Sequence, residues 1–156
     1  MNTKLSRKQI IEEAFKFHSE GNISMALKYY QCFINKGFRD HRVFSNYGAI
    51  LQGKGELEKA ENYYRNAIKL NHNYATAHSN LGNVLRDLGK LQEAELYMRK
   101  AIQINPNYVE AHSNLGNVLR DLGKLQEARL CSEKIISLRS WSILGSYSLN
   151  YEMKLD

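Results

Sequence analysis

The sequence predicts an all-α fold in which helix pairs stack into a solenoid, and three observations support this prediction. The eighteen-residue string AHSNLGNVLRDLGKLQEA begins at Ala77 and again at Ala111, an offset of 34 residues. A fixed period of this length is typical of helix-turn-helix units that bury their apolar faces against one another. The chain has one proline in 156 residues and is rich in Leu, Ala, Lys and Glu, which favours helix over strand.

Residues repeated at the same spacing extend the period over most of the chain. One position carries glycine throughout and another carries alanine: Gly21, Gly55, Gly89 and Gly123; Ala26, Ala60, Ala94 and Ala128. A third carries alanine in the first copy and glycine afterwards: Ala14, Gly48, Gly82 and Gly116. The chain therefore divides into a lead at 1–6, four repeats at 7–40, 41–74, 75–108 and 109–142, and a tail at 143–156; the first repeat is the most diverged.

The third repeat shows how each unit forms two helices. Residues 75–88 have the apolar periodicity of an amphipathic helix, with one side formed by Leu81, Val84, Leu85 and Leu88. Gly89 ends this helix, because glycine readily adopts the left-handed conformation of a helix C-cap. A second helix is predicted over about residues 91–104. Pro106 follows it and cannot continue a helix, but suits the start of the next one.

Two small residues in this unit have a packing role. Gly82 in the first helix and Ala94 in the second let the two backbones approach closely. Since the same positions are small in the other repeats, we expect each helix pair to close in the same way.

These positions resemble the tetratricopeptide repeat. The resemblance rests on the following residues: His78, Leu81, Gly82 and Leu85, then Ala94 and Met98, then Pro106. The family usually places an aromatic residue at the position of His78, whereas this chain has Ile10, Phe44, His78 and His112 there, and His72 and Ser140 at the position of Pro106. The string HSNLGNVL is most similar to superhelical arrays of the O-GlcNAc transferase type and of bacterial proteins. The resemblance implies a right-handed solenoid of about four repeats whose first helices line a concave groove.

No pattern in the sequence indicates catalysis or a cofactor. The five histidines form no H-E-x-x-H pair, the glycines form no phosphate-binding loop, and no G-x-S-x-G is present. His78 and His112 occupy the same position of successive repeats, which favours helix packing over metal ligation. An active site needs convergent residues that occur once, and nearly every polar residue here is duplicated. We therefore predict a non-enzyme with no metal and no cofactor.

A polar stripe follows one side of each first helix. In the third repeat it consists of Thr76, Asn80, Asn83 and Asp87, at i, i+4, i+7 and i+11. The equivalent residues are Glu110, Asn114, Asn117 and Asp121 in the fourth repeat, and Arg42, Asn46, Ala49 and Gly53 in the second. The resemblance places this stripe in the concave groove.

Three asparagines of the stripe are candidates for binding a peptide backbone: Asn46, Asn80 and Asn114. A carboxamide offers both a donor and an acceptor, and neighbouring helices ~8–10 Å apart would meet an extended chain at about every third residue. The family resemblance also implies an asparagine ladder at this position. Further polar selection is predicted from Asn83, Asn117, Arg86 and Arg120, with Asp87 and Asp121 available as partners. The alternative is that the asparagines bond between helices and that the arginines are ordinary surface residues.

The net charge and the cysteine content limit the kinds of partner and the cellular compartment that we expect. The net charge of +6 biases the chain weakly toward acidic partners, but its basic residues are scattered, so we predict no nucleic-acid binding. Cys32 and Cys131 fit no metal or redox spacing, and we expect reduced thiols. The charged start of the chain and the lack of a long apolar run predict no secretion signal and no membrane span, hence a cytoplasmic protein.

The function predicted from these features is a non-catalytic adaptor or scaffold that binds an extended protein segment in the concave groove. Two alternatives stay open: a substrate-targeting arm for a transferase on a separate chain, as the resemblance allows, and a unit that assembles with itself into homo-oligomers.

The tail at 143–156 has three possible roles. Trp141, Leu144, Tyr147 and Tyr151 suit a short helix that caps the last repeat, but the tail also reads as a remnant of a longer array or as a homotypic contact.

Overall fold

The chain forms eight α-helices and no β-strand within the residues described by the computed structural model, which are 5–152 for the backbone and 5–140 for the side chains. The helices are α1 (Arg7–Ser19), α2 (Ile23–Asn35), α3 (His41–Gly53), α4 (Leu57–Leu70), α5 (Ala75–Asp87), α6 (Leu91–Ile104), α7 (Val109–Asp121) and α8 (Leu125–Glu152). Consecutive helices pair within each predicted repeat and each pair packs on the next. The predicted all-α solenoid is thereby confirmed.

The turn inside each pair has the same geometry four times. Its glycines have φ values of 73°, 77°, 74° and 74° at Gly21, Gly55, Gly89 and Gly123, a region that other residues adopt at a steric cost. In the third repeat the Gly89 N–H donates to the Arg86 carbonyl at 2.9 Å and the Lys90 N–H donates to the Leu85 carbonyl at 2.8 Å. These two bonds form a Schellman motif, which satisfies the last carbonyls of α5.

Close packing inside each pair depends on the glycine of the first helix. A Cβ atom added at Gly82 would lie 2.7 Å from Met98 Cε, and one added at Gly48 would lie 3.2 Å from the Tyr64 ring. Ala94 is fully buried. The predicted close approach of the two backbones is therefore present, and a continuous apolar core runs from Ile10 to Cys131.

The array curves with its first helices on the inner side. Among the described residues α3 contacts α5 and α5 contacts α7, whereas the second helices of neighbouring repeats do not approach one another in this way. Because an inner arc is shorter than an outer arc, this difference places α3, α5 and α7 on the concave side.

Ion pairs join successive repeats along the second helices. Arg65 contacts Glu61 at 2.8 Å and Glu93 of the next repeat at 2.5 Å. Lys90, also of the next repeat, contacts Glu61 at 2.8 Å. We call this four-residue arrangement the charge clasp. A second clasp, shifted by 34 residues, is formed by Glu95, Arg99, Lys124 and Glu127. Burial opposes ionisation of Glu61, but its bonds to Lys90 and Arg65 lower the pKa of that carboxyl overall.

The clasp is not continued at either end of the array. In the fourth repeat Arg129 and Glu133 occupy the positions of Glu95 and Arg99 with the signs inverted, and they pair with each other at 3.0 Å. In the first repeat Leu27 and Gln31 occupy the positions of Glu61 and Arg65. Helix α2 also packs on α3 less extensively than α4 packs on α5.

Helix α8 continues beyond the boundary that the sequence analysis places at residue 142. Its backbone is helical from Leu125 to Glu152, so residues 143–152 prolong the second helix of the fourth repeat. The second helices of the two preceding repeats end at capping residues Asn71 and Asn105, and Arg139 stands at the equivalent position. The side chains from Trp141 onward and the end of the tail lie outside the described residues, and the capping role stays a prediction.

Candidate functional site

The polar stripe lies on the inner helices α3, α5 and α7. Asn46, Asn80 and Asn114 occupy equivalent places on these three helices and each side chain is half-buried. The first repeat has Glu12 at this position, so the row of asparagines begins in the second repeat.

The first asparagine of the row bonds to the preceding repeat. Asn46 Nδ2 donates to the Tyr30 hydroxyl at 3.1 Å, and that hydroxyl also lies 2.8 Å from His18 Nδ1. Burial raises the pKa of Tyr30, while the bond from Asn46 acts in the opposite direction. Tyr30 is fully buried, so its hydroxyl needs these partners.

The same arrangement recurs one repeat later. Tyr64 is fully buried and its hydroxyl donates to Gln52 Oε1 at 3.0 Å. Burial raises the pKa of Tyr64, and a hydrogen bond with Asn80 lowers it in part. Asn46 and Asn80 therefore each have a tyrosine sixteen residues before them, which is a signal in the sequence that the motif analysis did not use.

The third asparagine has a different neighbour. Met98 stands where Tyr30 and Tyr64 stand in earlier repeats, and it has no hydroxyl. Asn114 Nδ2 instead donates to Ser79 Oγ on the adjacent inner helix, at 3.4 Å. This distance is near the upper limit for a hydrogen bond, so Asn114 is the least firmly held of the three.

Intramolecular bonds leave part of each carboxamide free to act. A carboxamide has two N–H donors and an oxygen with two acceptor positions. The bonds of Asn46 and Asn114 each use one N–H. A second N–H and the oxygen remain, and these are the complementary groups that a peptide backbone would require.

The arginines beside the stripe are engaged within the protein. Arg86 Nε contacts Asp121 Oδ2 at 2.5 Å, which links the third repeat to the fourth. Arg120 donates to Asn117 Oδ1 one helical turn earlier. The predicted pairing of Asp121 with an arginine is present, while Asp87 forms no ion pair among the described residues. Asn83 is half-buried and its side-chain amide makes no hydrogen bond within the described part of the chain.

The repeated histidines hold the loops between repeats. His78 Nε2 lies 2.9 Å from the His72 carbonyl, and His112 Nε2 lies 2.9 Å from the Pro106 carbonyl. Since a carbonyl oxygen only accepts, Nε2 carries the proton in both rings. Burial lowers the pKa of His78. The predicted packing role of these histidines is confirmed by these bonds.

Three further features of the described residues concern metal ligands, thiols and membrane spans. Within the described residues no three His, Cys, Asp or Glu side chains come together in a way that would hold a metal ion. Both cysteines are unpaired thiols, Cys32 half-buried and Cys131 buried. None of the described helices combines the length and the apolar character needed to cross a membrane.

Comparison with known sequences identifies the repeat. The family model described as "Tetratricopeptide repeat" matches residues 40–107 and 75–140, so the two matches together span most of the chain. No curated protein sequence matches the chain significantly.

Solved structures of repeat proteins resemble the chain over most of its length. A crystal structure of MamA shares 20% identity with a TM-score of 0.80, covering 88% of this chain and 81% of that one. YrrB, titled a TPR protein with an unusual peptide-binding site, shares 18% identity with a TM-score of 0.76, covering 93% and 75%. The second TPR of Spaghetti (RPAP3), bound to the HSP90 peptide SRMEEVD, shares 25% identity with a TM-score of 0.62, covering 64% and 93%. The likeness to MamA and YrrB concerns the fold alone.

Proposed function

The chain belongs to the tetratricopeptide repeat family, and from this premise we propose that it is a non-catalytic adaptor that binds an extended protein segment on the concave face of its array. The observation that carries the proposal is the row formed by Asn46, Asn80 and Asn114 on three successive inner helices. In this proposal the free N–H and oxygen of each carboxamide bridge the backbone of the ligand, and Asn83 and Asn117 add polar contacts.

The intramolecular bonds of the asparagines support binding because they reduce its entropic cost. A side chain that is already held by a neighbour loses less conformational freedom when a ligand arrives. Tyr30 fixes Asn46 from the preceding repeat, and Ser79 holds Asn114 from the adjacent inner helix. The groove is thus organised before the ligand binds.

Peptide binding by a related array also supports the proposal. The RPAP3 repeat structure that resembles this chain was solved with the peptide SRMEEVD bound. That peptide is acidic, and the net charge of +6 on this chain favours acidic ligands through long-range attraction. Selection by Arg86 and Arg120 requires that the ligand displace Asp121 and Asn117 from them, so we assign these arginines a smaller part than the asparagines.

The test is the triple substitution of Asn46, Asn80 and Asn114 by alanine, followed by affinity capture from soluble lysate. A backbone hydrogen bond contributes ~1 kcal/mol, so we expect the three losses together to weaken retention of a bound partner by about 100-fold. Circular dichroism and urea unfolding must show that the variant remains helical, because the same asparagines bond to Tyr30 and Ser79.

A matched control uses three other asparagines. Asn62, Asn66 and Asn73 are exposed and lie outside the polar stripe, and their replacement by alanine repeats the same chemistry elsewhere. We expect this control to retain the partner. Equal retention by both triple variants would place the binding surface away from the asparagine row, and loss of helix in the first variant would give those residues a structural role only.

A further inference from the structure

A large groove lies between the first two repeats, on a side of the array that the proposed function does not use. It has a volume of about 830 Å³ and is bounded by α2, α3 and α4. Its apolar floor consists of Leu27, Tyr47, Leu51 and Tyr63. The Tyr47 hydroxyl donates to Gln31 Oε1 at 2.6 Å, and the Tyr47 and Tyr63 rings meet edge to face at 4.6 Å. We call this feature the junction groove; its floor is held in place by the protein itself.

The junction groove is widest where the charge clasp is missing. The equivalent groove at the third junction, which the second clasp crosses, has about half the volume, 420 Å³. At the next junction Glu61 and Arg65 reach across to Lys90 and Glu93. At the first junction the equivalent pairs are Leu27 with Gln31 and Glu56 with Lys59. Lys59 pairs with Glu56 of its own helix end at 2.6 Å, so no ion pair among the described residues crosses the groove, and α2 and α3 are joined there by the bond from Tyr47 to Gln31.

The rim of the junction groove is strongly basic. Four lysines line it: Lys28, Lys36, Lys54 and Lys59. Glu56 is the single carboxylate in the lining, and Lys59 already neutralises it. The groove therefore combines an apolar floor with unbalanced positive charge, and its ligand must supply apolar side chains and negative charge together.

The junction groove and the asparagine row lie on different sides of α3. Tyr47, Leu51 and Lys54 face the groove. With ~100° between successive residues of an α-helix, the stripe that contains Asn46 lies ~140° around the helix from them. A ligand in the groove would not touch the asparagines, so the two surfaces are independent.

The shape of the junction groove favours a peptide segment. Lys28 on α2 and Lys36 at the C-cap of that helix lie eight residues apart and both line the groove, which corresponds to ~12 Å along the helix axis. The walls are the sides of helices, an arrangement that accepts an amphipathic segment laid along it. A compact small molecule would cover only part of this length.

We propose that the junction groove is a second binding site, for an acidic segment of a partner protein whose apolar side chains enter between Asp or Glu residues. The apolar side chains occupy the floor over Leu27 and Tyr63. The carboxylates pair with Lys28, Lys36 and Lys54, since Lys59 already has a partner in Glu56. This proposal holds whether or not the asparagine row binds a peptide.

The decisive variant rebuilds the missing clasp at the first junction. It combines Leu27→Glu, Gln31→Arg, Glu56→Lys and Lys59→Glu, which copies the residues of the second junction. The four changes cancel in charge and leave the net charge at +6. We expect the rebuilt clasp to narrow the groove and to remove its excess of lysines without altering long-range attraction. It replaces the bond from Tyr47 to Gln31 by inter-repeat ion pairs, so we expect the variant to remain folded with a stability close to that of the wild type, which urea unfolding checks.

The probe is a displayed random library of peptides of about twelve residues, which as a helix would span ~18 Å. The library is selected on the wild-type chain and counter-selected on the rebuilt-clasp variant. We expect the enriched peptides to carry a net negative charge with apolar residues at helical spacing. One enriched peptide is then synthesised with a fluorophore and its affinity is measured by fluorescence anisotropy.

Four comparisons give the expected results. The synthetic peptide should bind the rebuilt-clasp variant at least about tenfold more weakly than the wild type, and should weaken when NaCl is raised from about 50 mM to about 500 mM. Lys28→Glu with Lys54→Glu should weaken it by about tenfold or more. Lys16→Glu with Lys69→Glu, an equal charge change at exposed sites away from the groove, should change it by less than about threefold.

Four outcomes would overturn the proposal. The first two are a library that yields no peptide preferring the wild type to the rebuilt-clasp variant, and a library that yields neutral or basic peptides. The other two are equal affinity of the peptide for the two double lysine variants, and a wild-type dimer that the rebuilt clasp abolishes. The last would mean that a second copy of the chain covers the groove, and analytical ultracentrifugation detects it. The triple asparagine variant should bind the synthetic peptide normally, which separates failure of this site from failure of the concave site.

Discussion

At the scale of single residues, one buried histidine links the stability of the array to pH. His78 is 5% exposed and its Nδ1 has no hydrogen-bond partner among the described residues. Burial lowers the pKa of His78, and the charges of the nearby Lys100 and His72 lower it further. The bond that His78 donates to the His72 carbonyl raises the pKa in part. A charged imidazolium in this place would therefore lack a partner for its second N–H.

The sign of the resulting pH dependence follows from the direction of this shift. Because the folded pKa lies below the unfolded value, the unfolded chain takes up the proton first as the pH falls. The contribution of His78 to the free energy of unfolding is therefore complete above about pH 6.5. Below that pH the free energy of unfolding falls by up to ~1.4 kcal/mol per pH unit. We expect the urea midpoint to fall between about pH 7.5 and about pH 5.5, before carboxylates titrate.

The comparison for this prediction is His78→Phe, because Phe44 occupies the equivalent position of the second repeat. This variant loses the bond to the His72 carbonyl and is expected to be less stable at neutral pH. Its midpoint should nevertheless change less with pH than that of the wild type. An unchanged slope in the variant would assign the pH dependence to other groups.

At the scale of the helix pair, three equivalent glycines differ in what surrounds them. A Cβ at Gly116 would meet Cys131 Cβ at 3.5 Å, an ordinary contact, because the small Ser132 occupies the position of Met98. The same atom would approach the rigid Tyr64 ring at Gly48 and three atoms of Met98 at Gly82. The three glycines occupy the same position of the repeat, but the space available for an added methyl group differs among them.

Replacement of each glycine by alanine should therefore give graded results in urea unfolding. Gly116→Ala is expected to stabilise by about 0.5–1 kcal/mol, since alanine favours helix over glycine. Gly48→Ala and Gly82→Ala should each be less stable than Gly116→Ala by about 1–3 kcal/mol, the usual cost of overpacking. Equal effects at all three positions would show that the pairs relax freely around an added methyl group.

At the scale of the whole molecule, the first junction is the weakest connection in the array. The stability of a solenoid is approximately the sum of the stabilities of its repeats and of the interfaces between them. The first interface lacks the charge clasp, contains the junction groove and buries less of α2 against α3. The first repeat is therefore expected to open independently of the rest.

Native-state hydrogen exchange checks this expectation. Amides of α1 and α2 should exchange faster than those of α3 to α6, because local opening of a terminal repeat requires less free energy than global unfolding. The rebuilt-clasp variant should slow exchange in α1 and α2 and leave α5 and α6 unchanged. Uniform protection from α1 to α6 in the wild type would contradict the weakness assigned to this junction.

Much of this architecture could be predicted from the sequence, because it depends on local signals that repeat. The bounds of α6, the left-handed Gly89 and the close approach at Gly82 follow from helix periodicity, turn chemistry and residue size. Helix α8 could not be placed as reliably, since no capping asparagine or proline marks an end after residue 138.

The contacts between repeats were harder to predict because they depend on how helices meet. The bond from Asn46 to Tyr30 joins residues on different helices of different repeats. The replacement of Glu61 and Arg65 by Leu27 and Gln31 is visible in the sequence. Its consequence, a groove wider than the one at the third junction, becomes apparent only once Lys90 and Glu93 are seen to reach those positions.

The two clasps also determine where the array can grow. A further copy of residues 75–108 inserted before residue 109 would find a matching partner on both sides. Its copies of Glu95 and Arg99 would meet Lys124 and Glu127, and its copies of Lys90 and Glu93 would meet Glu95 and Arg99 of the third repeat. A copy added after the fourth repeat would bring its lysine toward Arg129 and its glutamate toward Glu133, like charge against like. Duplication therefore lengthens this protein from within, and each internal copy extends the row of asparagines by one while both ends of the array stay as they are.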